Sequence, residues 1–442
     1  MADIFPFHAY RYSSERVSLA DVLTQPYDKI TPAMQERYAR TSPYSLITVE
    51  KGRPSPADSP ADNVYTRAQQ ALQQWIRDGI LVRDSSPGIY VYSQDYTVPG
   101  GGGRRTRRGF IALGRVEDYS AGVVFRHEQT MTGPKADRLE LLRHTRTHTG
   151  QLFMLYTDPQ RRADALLDAA IASAAPAEVR DEYDVLHRLW PVFDAGVIAG
   201  VARAMADQKL VIADGHHRYE TAIAYRDQCR AADQRRDPLA PCEKVMMTLF
   251  NTRSEGLLIL PTHRLVAGLP DFQPAAFRSK MSAVFDEQVW PFGNPSERAQ
   301  AFEQFRRELA ASASGAPAVG MYAGGAFLLF RLRPGTDLAA LLPDVPPSLR
   351  QLDVVLLHRL LLDQGLGITA AAVVAEQHVT YERDMAVALA AVDHGKAQAC
   401  FLLNSIGVER VTEIALSGQV LPQKSTDFYP KLLSGITLYR ME

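Results

Sequence analysis

Cysteine is scarce in this chain, whose 442 residues include only Cys229, Cys242 and Cys400. They are odd in number and far apart, and no Cys-x-x-Cys pair occurs, so neither a zinc ribbon nor a dithiol redox centre is expected. Reduced thiols in a cytoplasmic protein are the simplest interpretation. A chain of this length can bury a sizeable core without disulfides or metal ions.

An excess of one charge and long apolar runs are also missing. Lys plus Arg number 49 and Asp plus Glu number 50, for a net charge of −1, so there is no general attraction to nucleic acid or to an anionic membrane. No run of about 18 uncharged apolar residues could span a membrane, and the first residues do not resemble a signal peptide. We therefore expect a cytoplasmic protein whose partners include neither nucleic acid nor a membrane.

Strand-like and helix-like segments alternate along the chain. "GIYVYSQDYTV" and "FIALGRV" predict a hairpin with a glycine-rich, basic tip, and "QLFMLY" and "KVMMTLF" predict buried strands. Residues 59–79 and 135–148 have the apolar spacing of helices. Strands that alternate with helices favour a partly parallel sheet, so the expected fold class is α/β, or mixed α+β.

The segment "LVIADGHHRYETAIAY", residues 210–225, brings four polar side chains to the end of a predicted strand. Gly215 permits a sharp turn, and the free N–H groups of the following helix start attract phosphate. Arg218 adds a guanidinium fork suited to phosphate oxygens. His216 and His217 can donate protons or hydrogen bonds, and Asp214 can hold a metal-bound phosphate or orient a histidine. The alternative is a structural turn whose polar groups satisfy one another.

A second polar loop, "FRHEQTMTGPKADR", contains Glu128, Lys135 and Arg138. Glu128 could take a proton from a hydroxyl nucleophile, and such help is worth about 10²–10⁴ in rate. The His-Glu pair begins like the zinc motif HExxH, but position 131 is Met, so a zincin is not expected. A solvated loop remains the alternative.

Three further groups are weaker candidates. Lys424, Ser425 and Thr426 resemble the end of a P-loop, but the preceding GxxxxG is absent. The stretch "TQPYDKITP" presents Tyr27 and Asp28 at a turn before a helix. The third group is His144 and His148, whose i, i+4 spacing on the predicted helix could clamp zinc, although an exposed basic helix face is the alternative.

Several of these segments together resemble a known family. They are "QPYDKI", "TSPYSLI", "HEQTMTGPKADRLELL", "IADGHHRYETA" and "LPQKSTDFYPKLLSG". They are similar to the landmarks of the domain-of-unknown-function family number 1015, from about Phe5 to the C-terminus. The name of that family implies no activity.

The DGHHR box also resembles the ParB/sulfiredoxin superfamily and, most closely, its free-serine kinase branch. His216 stands where sulfiredoxins carry the catalytic cysteine, so cysteine sulfinate repair is not expected. No helix-turn-helix follows the box, which argues against a partition role. The resemblance implies a ParB/sulfiredoxin-like nucleotide-binding core over residues 121–268, flanked by α/β segments over 1–120, with the basic hairpin, and 269–442, with the "PQKST" loop.

The activity that this resemblance implies is nucleotide-dependent phosphoryl transfer on free L-serine, or its reverse on O-phosphoserine. The partners would be that small molecule and a nucleotide, ATP or ADP, with Mg²⁺. Glu128 would be the base, Asp214 would hold Mg²⁺ or orient the imidazoles, and the DGHHR box would bind the transferred phosphate. The nucleotide would contact Gly215, His216, His217, Arg218 and Tyr219. The acceptor would contact Tyr27, Asp28, Lys135, Arg138, Lys424, Ser425 and Thr426.

Two other functions stay open at this point. A ParB-like switch would bind or hydrolyse a nucleotide and recruit a partner, without a small-molecule acceptor. A metal-dependent hydrolase would use His144, His148, His216 and His217 as ligands. A homodimer is left open in every case.

Overall fold

A computed structural model describes residues 2–128, 133–233 and 237–442, and it has the mixed α/β architecture that the sequence predicts. By spatial contacts the chain forms two compact units. Unit 1 comprises residues 1–258, 412–419 and 428–442, and unit 2 comprises residues 259–411 and 420–427. The three-part division at residues 120 and 268 stays a prediction. Within the described ranges, no helix combines the length and apolarity needed to cross a bilayer.

Unit 1 contains most of the strands and the DGHHR box. Its strands are β1 (Ile4–Phe5), β2 (Tyr10–Tyr12), β3 (Leu81–Arg83), β4 (Ile89–Thr97), β5 (Arg104–Arg115), β6 (Val124–Arg126), β7 (Thr147–His148), β8 (Leu152–Tyr156), β9 (Ala177–Arg180), β10 (Leu186–Val192), β11 (Leu210–Asp214), β12 (Lys244–Asn251) and β21 (Tyr439–Arg440). Its helices are α1 (Leu19–Val22), α2 (Pro32–Thr41), α3 (Ile47–Glu50), α4 (Val64–Arg77), α5 (Gly133–Thr145), α6 (Arg162–Ile171), α7 (Ala195–Met205) and α8 (His216–Ala232).

The main sheet of unit 1 has the strand order β6-β11-β8-β12-β5-β4-β10-β9, and β1 pairs with β5. The β6–β11 and β8–β12 pairs are parallel and the others are antiparallel. The partly parallel sheet is therefore confirmed, and so is the predicted hairpin of β4 and β5. Its tip is tight because Gly100, Gly101 and Gly103 adopt positive φ, which glycine does at little cost.

Apolar side chains that alternate along the strands bury one face of this sheet under helices. Ile89, Phe110, Leu152 and Ile212 belong to one cluster with residues of α6, α7 and α8. Because successive strand residues point to opposite faces, Phe153 and the intervening residues of β8 turn away from these helices. That second face also contains the buried polar residues Gln94 of β4 and Arg107 of β5.

Unit 2 is built on one antiparallel sheet of order β15-β17-β16-β19-β14-β18. Its strands are β14 (His263–Val266), β15 (Phe285–Pro291), β16 (Ala318–Ala323), β17 (Ala326–Leu332), β18 (Val379–Glu382) and β19 (Ala399–Leu402). Its helices are α9 (Pro274–Met281), α10 (Pro295–Ala311), α11 (Leu338–Leu341), α12 (Asp353–Leu356), which continues as a wider π-helical segment (Leu357–Gly365), α13 (Ala370–Val374) and α14 (Met385–Asp393). The elements that contain a boundary between the units are β13 (Leu258–Leu260), α15 (Val408–Leu416) and β20 (Asp427–Tyr429).

Candidate active site

The DGHHR box forms the predicted strand–turn–helix. The strand β11 ends at Asp214, Gly215 takes φ +94°, and α8 starts at His216. A Cβ atom on Gly215 would lie 3.0 Å from Nη2 of Arg218 and 3.0 Å from Cδ2 of Leu152. The left-handed backbone favours glycine here, and a Cβ would be in tight contact with the ends of both side chains. The turn leaves the first N–H groups of a long helix beside the polar side chains.

Positive charges surround the Asp214 carboxylate. Nζ of Lys431 lies 2.9 Å from Oδ2 of Asp214, and most of both side chains is buried. Burial by itself would raise the pKa of Asp214. The positive charges of Lys431, Arg218 and Lys29 outweigh burial and hold the pKa of this carboxyl well below its usual range. The group is therefore an anion held among cations.

The role of Asp214 as a metal ligand stays a prediction, and its carboxylate also bonds to Lys431. A magnesium ion that bound Oδ2 would compete with the Lys431 ammonium group for that oxygen. Among the described residues, no cluster of three or more His, Cys, Asp or Glu side chains could hold a metal ion. Magnesium usually reaches such sites with substrate phosphates. Its presence here stays a prediction.

His127 and His216 form a buried pair of imidazoles, with ring centroids 4.8 Å apart. Nδ1 of His127 donates a hydrogen bond of 2.6 Å to the carbonyl of Ile212, which leaves the lone pair of its neutral ring on Nε2. Burial lowers the pKa of His127 to about 4 and lowers that of His216 well below its ordinary value. Nε2 of His216 is buried without a hydrogen-bond partner in the described part of the chain. This buried nitrogen is therefore available to a ligand or a water molecule.

Glu128 lies next to this pair. Its Oε2 is 3.9 Å from Nε2 of His127, too far for a hydrogen bond, and its side chain is mostly buried. The structure thus brings the predicted base into the neighbourhood of the DGHHR turn, since His127 contacts His216. The side chain of Lys135, which the sequence placed in the same loop, lies outside the described residues.

Arg218 and Tyr219 differ in what they offer a ligand. Nη1 of Arg218 donates to the carbonyl of Gln151 at 2.5 Å, and the guanidinium also reaches a neighbouring cleft. Tyr219 is fully buried, and its hydroxyl donates to the carbonyl of Glu117 at 2.7 Å and accepts from the N–H of the same residue at 3.0 Å. These bonds anchor α8 and leave the Tyr219 hydroxyl little capacity for a nucleotide.

The cleft beside Arg218 contains two of the predicted acceptor-binding residues. It has a volume of about 50 Å³, and both Tyr27 and Arg138 line it. The Arg138 guanidinium lies 4.4 Å from the centre of the Tyr27 ring, a cation–π distance. Burial raises the pKa of Tyr27 to about 12, so its hydroxyl stays protonated. Asp28, by contrast, is exposed.

Glu50 is a residue of this cleft that the sequence analysis missed. Its Oε1 accepts a hydrogen bond of 3.1 Å from Ser434, its Oε2 accepts one of 3.0 Å from Thr149, and its backbone carbonyl accepts one of 2.8 Å from Arg138. The carboxylate is nearly inaccessible to solvent. A glutamate in "TVEKG" has no local signal for this role, because its partners come from distant segments.

The predicted ligand-binding residues Lys424, Ser425 and Thr426 lie in unit 2. The Lys424 carbonyl accepts a hydrogen bond of 3.1 Å from Arg264, and Ser425 Oγ donates to the carbonyl of Pro422 at 2.5 Å. A ligand-binding role for Lys424, Ser425 and Thr426 stays a prediction.

The expected helix over residues 135–148 is wrong at its C-terminal end. It ends at Thr145 because Arg146 takes φ +48°, and His148 belongs to β7. His144 lies on α5 and stacks on Tyr65, whereas His148 lies on β7, so the two histidines do not share a helix face.

Comparison with known proteins identifies a family. The model of the family described as "Protein of unknown function (DUF1015)" matches residues 4–355. No curated protein matches the chain. Solved structures with some likeness include a conserved hypothetical protein from Pyrococcus furiosus, at 14% identity and a TM-score of 0.32, covering 69% of this chain and 86% of that one.

Two other solved structures are similar at the same level. A free serine kinase in complex with AMP has 13% identity and a TM-score of 0.35, with 69% of this chain and 83% of that one covered. SbnI with a C-terminal truncation, from Staphylococcus aureus, has 8% identity and a TM-score of 0.33, with 73% and 85% covered. At these values the neighbours assign no activity to this chain.

Proposed function

Since this chain belongs to the DUF1015 family, whose description assigns no activity, we propose a function from the site itself: nucleotide-dependent phosphoryl transfer to a small hydroxyl metabolite. The observation that carries the proposal is the cationic turn. Lys431, Arg218 and Lys29 act on one point at the start of α8, where helix N–H groups also favour an anion. Such a reaction depends mainly on positioning and on stabilising the charge of the transferred group.

Each group near the turn has a place in the proposed reaction. The oxygen of the acceptor hydroxyl forms a bond to the terminal phosphorus of ATP or ADP. The bond from that phosphorus to the bridging oxygen breaks, and the shortened nucleotide leaves with the electron pair. Glu128 takes the hydroxyl proton. The neutral ring of His216 offers its buried Nε2 to a phosphate oxygen or a hydroxyl.

The acceptor is proposed to be free L-serine, or O-phosphoserine in the reverse direction. This substrate class comes from the resemblance of the DGHHR box to the free-serine kinase branch. The cleft lined by Arg138 and Tyr27 is the proposed acceptor site, where a substrate carboxylate would bind the Arg138 guanidinium in competition with Asp137 and Glu50.

The decisive experiment is a turnover assay. Purified protein is incubated with serine, ATP or ADP and Mg²⁺, and in the reverse direction with phosphoserine. We expect a phosphorylated small product, and we expect Glu128→Gln to lower the rate about 10²-fold or more while nucleotide affinity changes little. Glu36→Gln, on an exposed face of α2, is the matched control and should keep full activity.

Other outcomes lead to different conclusions. If no direction turns over, and Glu128→Gln changes nothing in a wider screen of hydroxyl acceptors, the proposal is wrong. Nucleotide hydrolysis that needs no acceptor, together with a nucleotide-driven change in oligomer size, would instead favour the ParB-like switch.

A further inference from the structure

Arg107 is a fully buried residue near the start of β5. No carboxylate of the described residues forms an ion pair with it. Its faces contact aromatic rings, with Cζ 4.6 Å from the centre of the Phe153 ring and 4.8 Å from that of Phe250. Burial lowers the pKa of Arg107 to about 10, which still leaves it charged at neutral pH.

A buried charge of this kind is expensive. Removing a guanidinium from water without a paired carboxylate is unfavourable, and an apolar residue of similar volume would usually fill such a core site at lower cost. Packing alone therefore does not explain an arginine at position 107. Its hydrogen bonds show what the charge is used for.

The Arg107 fork holds the peptide carbonyls that precede Lys431. Nη1 donates to the carbonyl of Tyr429 at 3.1 Å, and Nη2 donates to the carbonyl of Pro430 at 2.6 Å. Nε and Nη2 also donate to Oε1 of Gln94, and Nε2 of Gln94 donates to the carbonyl of Lys431 at 2.7 Å. Three consecutive carbonyls are thus fixed by one buried pair of side chains.

We propose that Arg107 and Gln94 are positioning residues that hold the Lys431 ammonium group on Asp214 at the phosphate turn. The Lys431 side chain is only 10% exposed, and its Nζ lies 2.9 Å from Oδ2 of Asp214. A lysine side chain has four rotatable bonds, so its ammonium group stays at one point only if its backbone is also fixed. The benefit to catalysis rests on the proposed function, whereas the positioning itself does not.

The positioning is tested without any ligand by amine labelling. The intact protein is treated with acetic anhydride for short times, and the acetylation rate of Lys431 is followed by peptide mass spectrometry. We expect Arg107→Met to raise that rate about tenfold, because the held segment opens more often. The rate at the exposed Lys396 serves as an internal reference.

A matched variant separates local from general effects. Arg226 in unit 1 is also nearly inaccessible to solvent, but it bonds to the carbonyl of Val116 and to the carboxylates of Asp118 and Asp227 instead. Arg226→Met should leave the Lys431 rate unchanged. If both variants accelerate acetylation equally, or if Arg107→Met does not, the proposal is wrong. Should Arg107→Met fail to fold, Gln94→Leu removes the bond to the Lys431 carbonyl, and the same acceleration is expected.

A binding experiment tests the consequence for the site. Arg107→Met should weaken ADP binding, measured by titration calorimetry, by about tenfold to a hundredfold. In a protein that already contains Lys431→Met, adding Arg107→Met should alter the affinity for ADP less than about twofold, since Arg107 acts through Lys431. Additive losses would mean that Arg107 has only a structural role. If the unaltered protein binds neither ADP nor ATP, the proposed function is wrong and the labelling result alone decides the positioning.

Discussion

At the scale of single residues, Asp214 stays ionised because cations surround it. Lys431→Met removes the nearest of them and leaves Arg218 and Lys29. We expect the free energy of unfolding at pH 7, measured with urea, to fall by about 2 kcal/mol, because a mostly buried carboxylate loses its direct partner. Lys396→Met, at an exposed lysine, should change it by less than about 0.5 kcal/mol.

The loss of stability caused by Lys431→Met should become smaller in acid solution. The pKa of Asp214 is lowered on folding, so its contribution to stability is complete above the unfolded-state pKa of about 3.9 and declines as pH falls below it. The difference between Lys431→Met and the unaltered protein should therefore be constant from about pH 7 to pH 5 and shrink only in more acid solution. A difference that grew on acidification would contradict the ion pair.

At this scale, a candidate residue can be predicted from the sequence when its partners are close to it in the sequence. Asp214 and Arg218 could be predicted as candidate residues because the box is contiguous and its turn chemistry is local. Glu50, Arg107 and Lys431 contribute to the site or its support only through partners far along the chain, such as Ser434, Tyr429 and Asp214. No local pattern distinguishes a buried arginine on a strand from an exposed one.

At the scale of elements, two features of the turn between β11 and α8 favour glycine at position 215, namely its positive φ and the tight space around a Cβ atom. Gly215→Ala would strain a backbone at φ +94° and push its Cβ against the Arg218 guanidinium. We expect urea unfolding to show a loss of about 3 kcal/mol. Gly122→Ala is the control, since Gly122 has φ +66° but open space around its Cβ, and it should cost about 1 kcal/mol. Equal losses would mean that crowding of Arg218 is absent.

The start or end of an element could be predicted where a local sequence signal marks it. Glycine and the switch from strand to helix spacing mark the start of α8 at His216. The end of α5 at Thr145 carries no such mark, because Arg146 takes a left-handed conformation that a non-glycine residue rarely adopts. The tertiary pairing of β7 with β21 fixes that segment, and the helical spacing of the sequence cannot reveal it.

At the scale of the whole molecule, one compact unit is built from segments that are far apart in the sequence. The compact unit that holds the DGHHR box includes residues 428–442 as well as residues 1–258. Its C-terminal segment supplies Lys431 to Asp214 and Ser434 to Glu50. The mixed α/β class followed from periodicity, whereas this return of the chain did not, since contacts across several hundred residues leave no periodic signal.

Because of this return of the chain, the proposed nucleotide binding would be a property of the folded state only. Lys29, Arg218 and Lys431 are far apart in sequence, so an unfolded chain has no cationic site to compete for a phosphate. ADP at 100 times its Kd should therefore raise the free energy of unfolding by about 2.7 kcal/mol, which a thermal-shift titration can detect. Adenosine, which lacks the phosphates, should stabilise much less, and added salt should reduce the ADP effect by screening its charge. Equal stabilisation by adenosine and ADP would place the binding energy on the nucleoside and contradict a phosphate site at the turn.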